Sequence, residues 1–153
     1  MQQQTATIDL DLESQFCFAL YSATLALGKI YAPLLAGLGL TYPQYLVMLV
    51  LWQGDGLTVR ALGEQLHLNS GTLTPMLKRM EQAGLVRRSR DKKDERLVRT
   101  ELTKAGRDLQ PHAVGIPCAI AAATGLPVDR LVQLRDELEG IRQALEADAA
   151  GVE

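Results

Sequence analysis

The run Thr58-Val-Arg-Ala-Leu-Gly-Glu-Gln-Leu-His67-Leu-Asn69-Ser-Gly-Thr-Leu-Thr-Pro-Met-Leu-Lys-Arg79-Met-Glu-Gln-Ala-Gly84 decides the fold. Thr58 is a capping residue ahead of good helix formers, which predicts a short helix over residues 59–66. His67-Leu68 leaves room only for a tight connection. Asn69 or Ser70 then caps a second helix ending at Ala83-Gly84, with Gly84 as its C-terminal cap. Leu62, Leu66, Leu73, Leu77 and Met80 supply an apolar seam between the two. The pattern is helix, short turn, helix.

Working outward, the period changes after Gly84. Residues 85–90 and 96–102 read as short strands around the charged tip Asp91-Lys-Lys-Asp-Glu95. A hairpin directly after a helix-turn-helix marks a winged helix. Thr103 caps a further helix to about residue 122, bent at Pro111 and Pro117. A last amphipathic helix over about 128–147 carries Leu131, Leu134, Leu138, Ile141 and Leu145. On the other side, Gly54-Asp-Gly56 makes a turn. Thr41-Tyr-Pro-Gln44 is a capping box with proline in the first turn, opening a helix through Trp52. Leu12, Phe16, Ala19, Leu20, Ala23, Leu27 and Ile30 recur at spacings of three and four, predicting an amphipathic helix over residues 9–35. Asp9, Asp11 and Glu13 would occupy its first turn, where carboxylates suit the positive end of the dipole. Gly37-Leu-Gly39 ends it.

The composition agrees with one compact domain: 153 residues, 47% hydrophobic and 22% charged. It excludes a disordered, collagen-like or disulfide-dense chain. Two cysteines, Cys17 and Cys118, cannot hold zinc by themselves, and no C-x-x-C, Walker loop, G-x-G-x-x-G or H-E-x-x-H is present. His67 and His112 stand isolated. No metal and no cofactor are expected. The first nine residues lack a basic region and a long apolar run. Prolines interrupt both long uncharged stretches, residues 30–54 and 109–128, so no membrane partner is expected. The reading is a soluble cytoplasmic protein, in which thiols are kept reduced.

Charge is segregated within a net of −2. Between Pro75 and Arg99 lie nine basic residues and four acids, +5 against −7 for the rest of the chain. One face is therefore suited to a polyanion. The second helix of such a motif enters the DNA major groove with its N-terminal residues at the base edges. Here that edge is Ser70, Gly71, Thr72 and Thr74, small polar residues that allow close approach, followed by Pro75. Lys78 and Arg79 follow one turn later, suited to phosphates. Arg90, Lys92, Lys93 and Arg96 surround the hairpin tip, where an arginine can enter a narrow minor groove. The expected partner is double-stranded DNA.

Leu85-Val86, the segment Arg90-Asp-Lys-Lys-Asp-Glu-Arg96 and Leu102-Thr-Lys-Ala-Gly106 resemble the MarR family of winged-helix regulators. Phe16-Cys-Phe-Ala-Leu-Tyr-Ser22, Leu40-Thr-Tyr-Pro-Gln-Tyr-Leu-Val-Met-Leu-Val-Leu-Trp52 and Ser70-Gly-Thr-Leu-Thr-Pro-Met-Leu-Lys-Arg79 resemble its OhrR-type organic-hydroperoxide-sensing repressors, of the two-cysteine kind. Asn69 stands where such proteins often carry Asp, and both residues cap helices.

The fold class implied is mainly α with a small β-hairpin wing: a winged helix-turn-helix with a helical dimerisation layer. Residues 1–153 form a single domain on this reading. About 9–40 and 103–147 are the dimerisation helices, and about 41–102 the DNA-binding region. A homodimer would read a palindromic operator, its two reading helices about one DNA turn apart. The resemblance implies a repressor, not an enzyme, with an organic hydroperoxide as inducer. It makes Cys17 and Cys118 redox-active, the second as a resolving thiol from the partner subunit, and pairs Asp94 with Arg96 in the wing.

A sensor thiol must be partly ionised to attack a peroxide, and no His or Lys lies near Cys17 in sequence. Tyrosine hydroxyls can stabilise the anion instead. Tyr31 and Tyr42 match positions that bond the reactive thiol in the resembling family. Tyr21, four residues beyond Cys17, shares its helix face. Phe16, Phe18 and the apolar run 46–51 would favour a peroxide with a hydrophobic tail. Two alternatives stay open: a MarR-like repressor answering a small aromatic ligand without redox chemistry, and a thiol peroxidase.

Overall fold

Among the described residues, side-chain caps from Thr41, Thr58, Asn69 and Thr103 set the starts of four helices. The computed structural model describes residues 10–151, so the expected helix start at Asp9, and its place in a first turn, lie outside the described residues. The chain divides into two compact units, Met1–Val114 and Gly115–Glu153.

Within the described residues the first unit starts with a 3-10 turn, Leu12–Ser14, and then helix α1, Phe16–Ala36. The expected continuous helix from residue 9 is thus corrected. Gln15 is extended (φ −80°, ψ 117°) and breaks the chain between turn and helix. The polar groups there bond locally: Ser14 Oγ donates to the Asp11 carboxylate, and Gln15 Nε2 to the Asp11 carbonyl. Such bonds compete with helix formation. Asp11 and Glu13 therefore stand outside the first turn of α1.

Only Leu35 of α1 is buried, while Phe16, Leu20, Leu27 and Ile30 stay exposed in the single chain. Pro33 lies inside the helix without ending it. By length and composition alone, α1 is long and apolar enough to cross a membrane, a test that core helices of soluble proteins also pass.

Helix α2, Tyr42–Gln53, carries the expected capping box. The Gln44 amide donates to Thr41 Oγ1 (3.5 Å), and the Thr41 amide to Gln44 Oε1 (3.0 Å). Its Tyr45, Val47, Met48 and Leu51 are buried.

Strand β1, Leu57–Thr58, leads into helix α3, Val59–Leu66, where Thr58 Oγ1 accepts from the Ala61 amide at 3.1 Å. His67 makes the turn in the left-handed region (φ 54°). Asn69, rather than Ser70, caps helix α4, Ser70–Gln82, its Oδ1 accepting from the Thr72 amide at 2.9 Å. Leu62, Leu73, Leu77 and Met80 are fully buried, each contributing about 1.5–3 kcal/mol. Leu66 is half-buried. The turn also needs Gly63: a Cβ there would stand 2.5 Å from the Leu68 carbonyl oxygen.

Strands β2, Val86–Arg90, and β3, Val98–Leu102, pair antiparallel with Val86 opposite Leu102 and Arg90 opposite Val98. The two strands start one and two residues later than the sequence suggests. β1 pairs with β3, placing Leu57 opposite Thr100, so the sheet order is β1-β3-β2. Two residues are too few to show a period of two, so the sequence pattern does not reveal β1. Val86, Thr100 and Leu102 face the core, and Arg87 and Ser89 face solvent.

The expected helix over residues 103–122 is three shorter ones: α5, Lys104–Asp108, α6, Gln110–Ala113, and α7, Ile116–Thr124. Pro111 and Pro117 do not bend one helix. Each sits in the first turn of a new one, where the missing amide is not needed. Thr103 caps α5, its Oγ1 accepting from the Gly106 amide (3.1 Å) and donating to the Gly84 carbonyl (2.6 Å). Trp52 Nε1 donates to the Gly106 carbonyl at 3.0 Å.

The second unit holds α7 and helix α8, Val128–Ala150, which runs three residues past the expected end. No residue of α8 is buried, and Val132, Leu138 and Leu145 are exposed.

Candidate nucleic-acid interface and thiol site

Helix α4 has two unlike faces. Leu73, Met76, Leu77 and Met80 are buried against the rest of the winged core, leaving Ser70, Gly71, Thr72, Pro75, Lys78 and Arg79 exposed and Thr74 half-buried. The residues expected to read DNA therefore share one accessible edge. Pro75 sits within the second turn without ending the helix. Among the described residues, Lys78 and Arg79 form no ion pair that would compete with a phosphate.

The nine basic residues between Pro75 and Arg99 do different jobs. Arg88 is tied back to the end of α4, its side chain and amide donating to the Glu81 carboxylate at 2.9–3.0 Å. These bonds hold the Glu81 carboxyl below its usual range. Arg87 pairs with Glu101 directly across the ladder at 2.8 Å. Arg90 donates to the Glu95 carbonyl at 3.2 Å. Arg96 pairs with Asp94 as expected, at 3.2 Å, and its side chain stays 91% exposed. Lys92 and Lys93 are exposed at the tip. The hairpin bounds an open concavity of about 530 Å³, lined by Arg87, Arg90, Lys92, Lys93 and Arg99 among others.

The organising residue of the tip is Asp91, which in the sequence alone is only one of four acids. It is 8% exposed. One carboxylate oxygen accepts from the amides of Lys93 (2.7 Å) and Asp94 (3.0 Å), and the other from Arg99 Nε. The same Arg99 donates to the Gly56 carbonyl at 2.8 Å. The Arg99 bond, then the two amide bonds, hold the Asp91 carboxyl at about 2. A carboxyl depressed in the folded state adds stability that is present above its unfolded value and lost as pH falls. The wing should therefore loosen between about pH 4 and pH 2, and Asp91→Asn should flatten that part of the stability-pH curve. Thermal melts across an acid series would check this.

Cys17 is the second residue of α1 and is exposed. Its amide is one of those at a helix start without an intrahelical partner, a position that tolerates negative charge. Tyr21 lies one turn on and is also exposed. Tyr31 and Tyr42 do come together, with ring centroids 4.5 Å apart, and Tyr45 packs 6.1 Å from Tyr31. Burial, then its two tyrosine neighbours, push the Tyr31 hydroxyl up to about 12, so it stays protonated and able to donate.

The structure does not join this cluster to Cys17 within one chain. Cys17 and Tyr31 are fourteen residues apart on one helix, about 21 Å at 1.5 Å per residue. Among the described residues nothing hydrogen-bonds the Cys17 sulfur. A helix shared by Cys17 and Tyr31 is what keeps them apart within a protomer. In the second unit, Cys118 is the third residue of α7, follows Pro117, and is exposed and unbridged.

Comparison with known proteins gives a consistent picture. The MarR family model matches residues 40–98. The organic hydroperoxide resistance transcriptional regulator of Bacillus subtilis (strain 168) is 48% identical over 136 residues, spanning 89% of this chain and 92% of that one. A solved structure of reduced AbfR bound to DNA is similar with a TM-score of 0.74 and 38% identity, covering 88% of this chain and 93% of the other. A structure of disulfide-formed AbfR is similar with a TM-score of 0.59 and 36% identity, covering 89% and 90%.

Proposed function

Because this chain belongs to the MarR family, a transcriptional regulator rather than an enzyme, we propose that it is a homodimeric repressor that leaves its DNA operator when an organic hydroperoxide oxidises Cys17. The observation that carries the reading is the accessible edge of α4, Ser70 to Arg79, beside a wing tip bearing Lys92, Lys93 and Arg96. Similarity to a hydroperoxide-resistance regulator and to a DNA-bound AbfR supports it.

A second copy of the chain answers two features at once. The exposed apolar residues of α1 and α8 need a cover, and leaving them in water forgoes about 25 cal/mol per Å². Antiparallel pairing of two α1 helices would also bring Tyr31 and Tyr42 of one protomer towards Cys17 of the other. The hydroxyl donors would then stabilise a thiolate across the dimer.

In the chemical step, the Cys17 thiolate attacks one peroxide oxygen. An S–O bond forms as the O–O bond breaks, and the alkoxide leaves and takes a proton to become an alcohol. The resulting sulfenic acid is attacked by the Cys118 thiol, forming the disulfide and releasing water. Closing that bridge requires Cα atoms within about 7 Å. The movement this demands would turn the winged regions away from the operator spacing.

The test combines a gel shift with non-reducing electrophoresis. Cumene hydroperoxide should release a selected palindromic duplex and create a covalent dimer that dithiothreitol reverses. Release without any change in thiol state would instead favour the small-ligand reading. On the DNA side, Arg96→Ala should weaken binding and reduce the slope of log K against log salt by about 0.9, one phosphate's share. An unchanged slope across a salt series would count against the wing.

A further inference from the structure

We propose that Asp91 is a positioning residue for DNA binding, which aims the wing tip without touching DNA itself. The inference rests on the DNA-binding reading above and adds to it a residue that carries the wrong charge for contact with a polyanion.

Three structural facts support the role. Asp91 lies at the end of β2, just before the tip, and is nearly inaccessible, so its carboxylate is not offered to solvent or to a ligand. Its first oxygen gathers the amides of Lys93 and Asp94, which forces the chain to turn directly after Lys92. Its second oxygen holds Arg99 on β3, and Arg99 reaches the Gly56 carbonyl in the turn before β1. The tip is thereby anchored through Arg99 to Gly56, next to the strand that leads into α3. Further bonds complete the turn: the Asp91 amide donates to the Leu97 carbonyl (2.8 Å), and the Leu97 amide to the Asp94 carbonyl (2.9 Å). Asp94 in turn orients Arg96 through its amide and side chain. Lys93, Asp94 and Arg96 thus take their directions, in one or two steps, from one buried carboxylate.

A positioning role predicts a sign opposite to that of plain electrostatics. Replacing an acid by a neutral residue makes the wing more positive and should tighten DNA binding if Asp91 acts only through its charge. Asp91→Asn keeps an oxygen for the two amides but turns an amide group, itself a donor, towards the Arg99 guanidinium. Released from that strut, the tip loses its fixed direction. Affinity should fall about tenfold, and the salt slope should drop in size by about 0.9 for each phosphate that the tip no longer neutralises.

The experiment is fluorescence anisotropy across a salt series, using a labelled duplex selected by the full-length wild-type protein from a randomised pool. Asp91→Asn is measured in the wild-type chain and again in a chain whose Lys92, Lys93 and Arg96 are all alanine. The expected result is a loss in the first background and none in the second, because Asp91 acts only through those side chains. Equal losses in both would mean a general folding defect and would overturn the proposal, as would unchanged or tighter binding. Arg99→Gln should reproduce the loss, and the double variant with Asp91→Asn should add nothing to it. If the wild-type protein selects no duplex, the DNA reading itself fails and takes this inference with it. If the wild type binds and Asp91→Asn is silent, only the positioning role is lost.

Discussion

Cys17→Ser is expected to give a dimer that binds DNA with wild-type affinity and is no longer released by organic hydroperoxide. Serine keeps the shape of the side chain but has no accessible anion and no sulfur to oxidise. Cys17 is exposed in the first turn of α1 and belongs to neither α4 nor the hairpin, so the exchange should not disturb them. Coupling between an effector and a ligand is commonly worth about 1–3 kcal/mol, about 5- to 150-fold in affinity. That whole factor should vanish in the variant. Titrating DNA with reduced and hydroperoxide-treated protein measures it directly. A Cys17→Ser protein that still dissociates on treatment would move the inducer to another site and return the small-ligand alternative.

The largest expected loss of stability is at Gly106. A Cβ there would stand 2.1 Å from the Leu85 carbonyl oxygen and 3.2 Å from a Leu102 methyl. The nearest obstacle is backbone at the entry to the hairpin and cannot rotate away. α5 would have to lift off, breaking the bond from Trp52 Nε1 to the Gly106 carbonyl and straining the Thr103 cap. Overpacking of this kind costs about 1–3 kcal/mol and sometimes more. With backbone in the way, Gly106→Ala should cost about 3 kcal/mol, a fall in Tm of about 6–12 °C for a chain of this size. Gly140→Ala is the control. It lies within α8 with nothing within 4 Å of the added carbon, and should stabilise by about 0.5–1 kcal/mol. Similar melting temperatures for the Gly106 variant and wild type would mean that α5 is not locked to the hairpin as described.

Much of the DNA-facing site is legible in the sequence because its signals are short-range. Thr41, Thr58, Asn69 and Thr103 each cap a helix within three residues of themselves, and each is readable from its neighbours alone. The polar edge of α4 follows from the apolar spacing on its other side. Proline is harder to read. Pro111 and Pro117 suggest a bent helix, whereas each begins one, while Pro33 lies inside α1 as the helix expected over residues 9–35 requires. Proline's cost depends on whether the amide it lacks was needed, and that depends on where the helix starts.

Local chemistry by itself determined the capped helix pair, the hairpin behind it and the basic character of its tip, since each arises between residues a few positions apart. Only the tertiary structure could distinguish the acids from one another. Asp91 matters because Arg99 and the Gly56 carbonyl, eight and forty-three residues from the groups they meet, converge on one buried place. The helix expected over residues 9–35 already sets Cys17 and Tyr31 about 21 Å apart, whereas only the folded chain brings Tyr42, on another helix, against Tyr31 with ring centroids 4.5 Å apart.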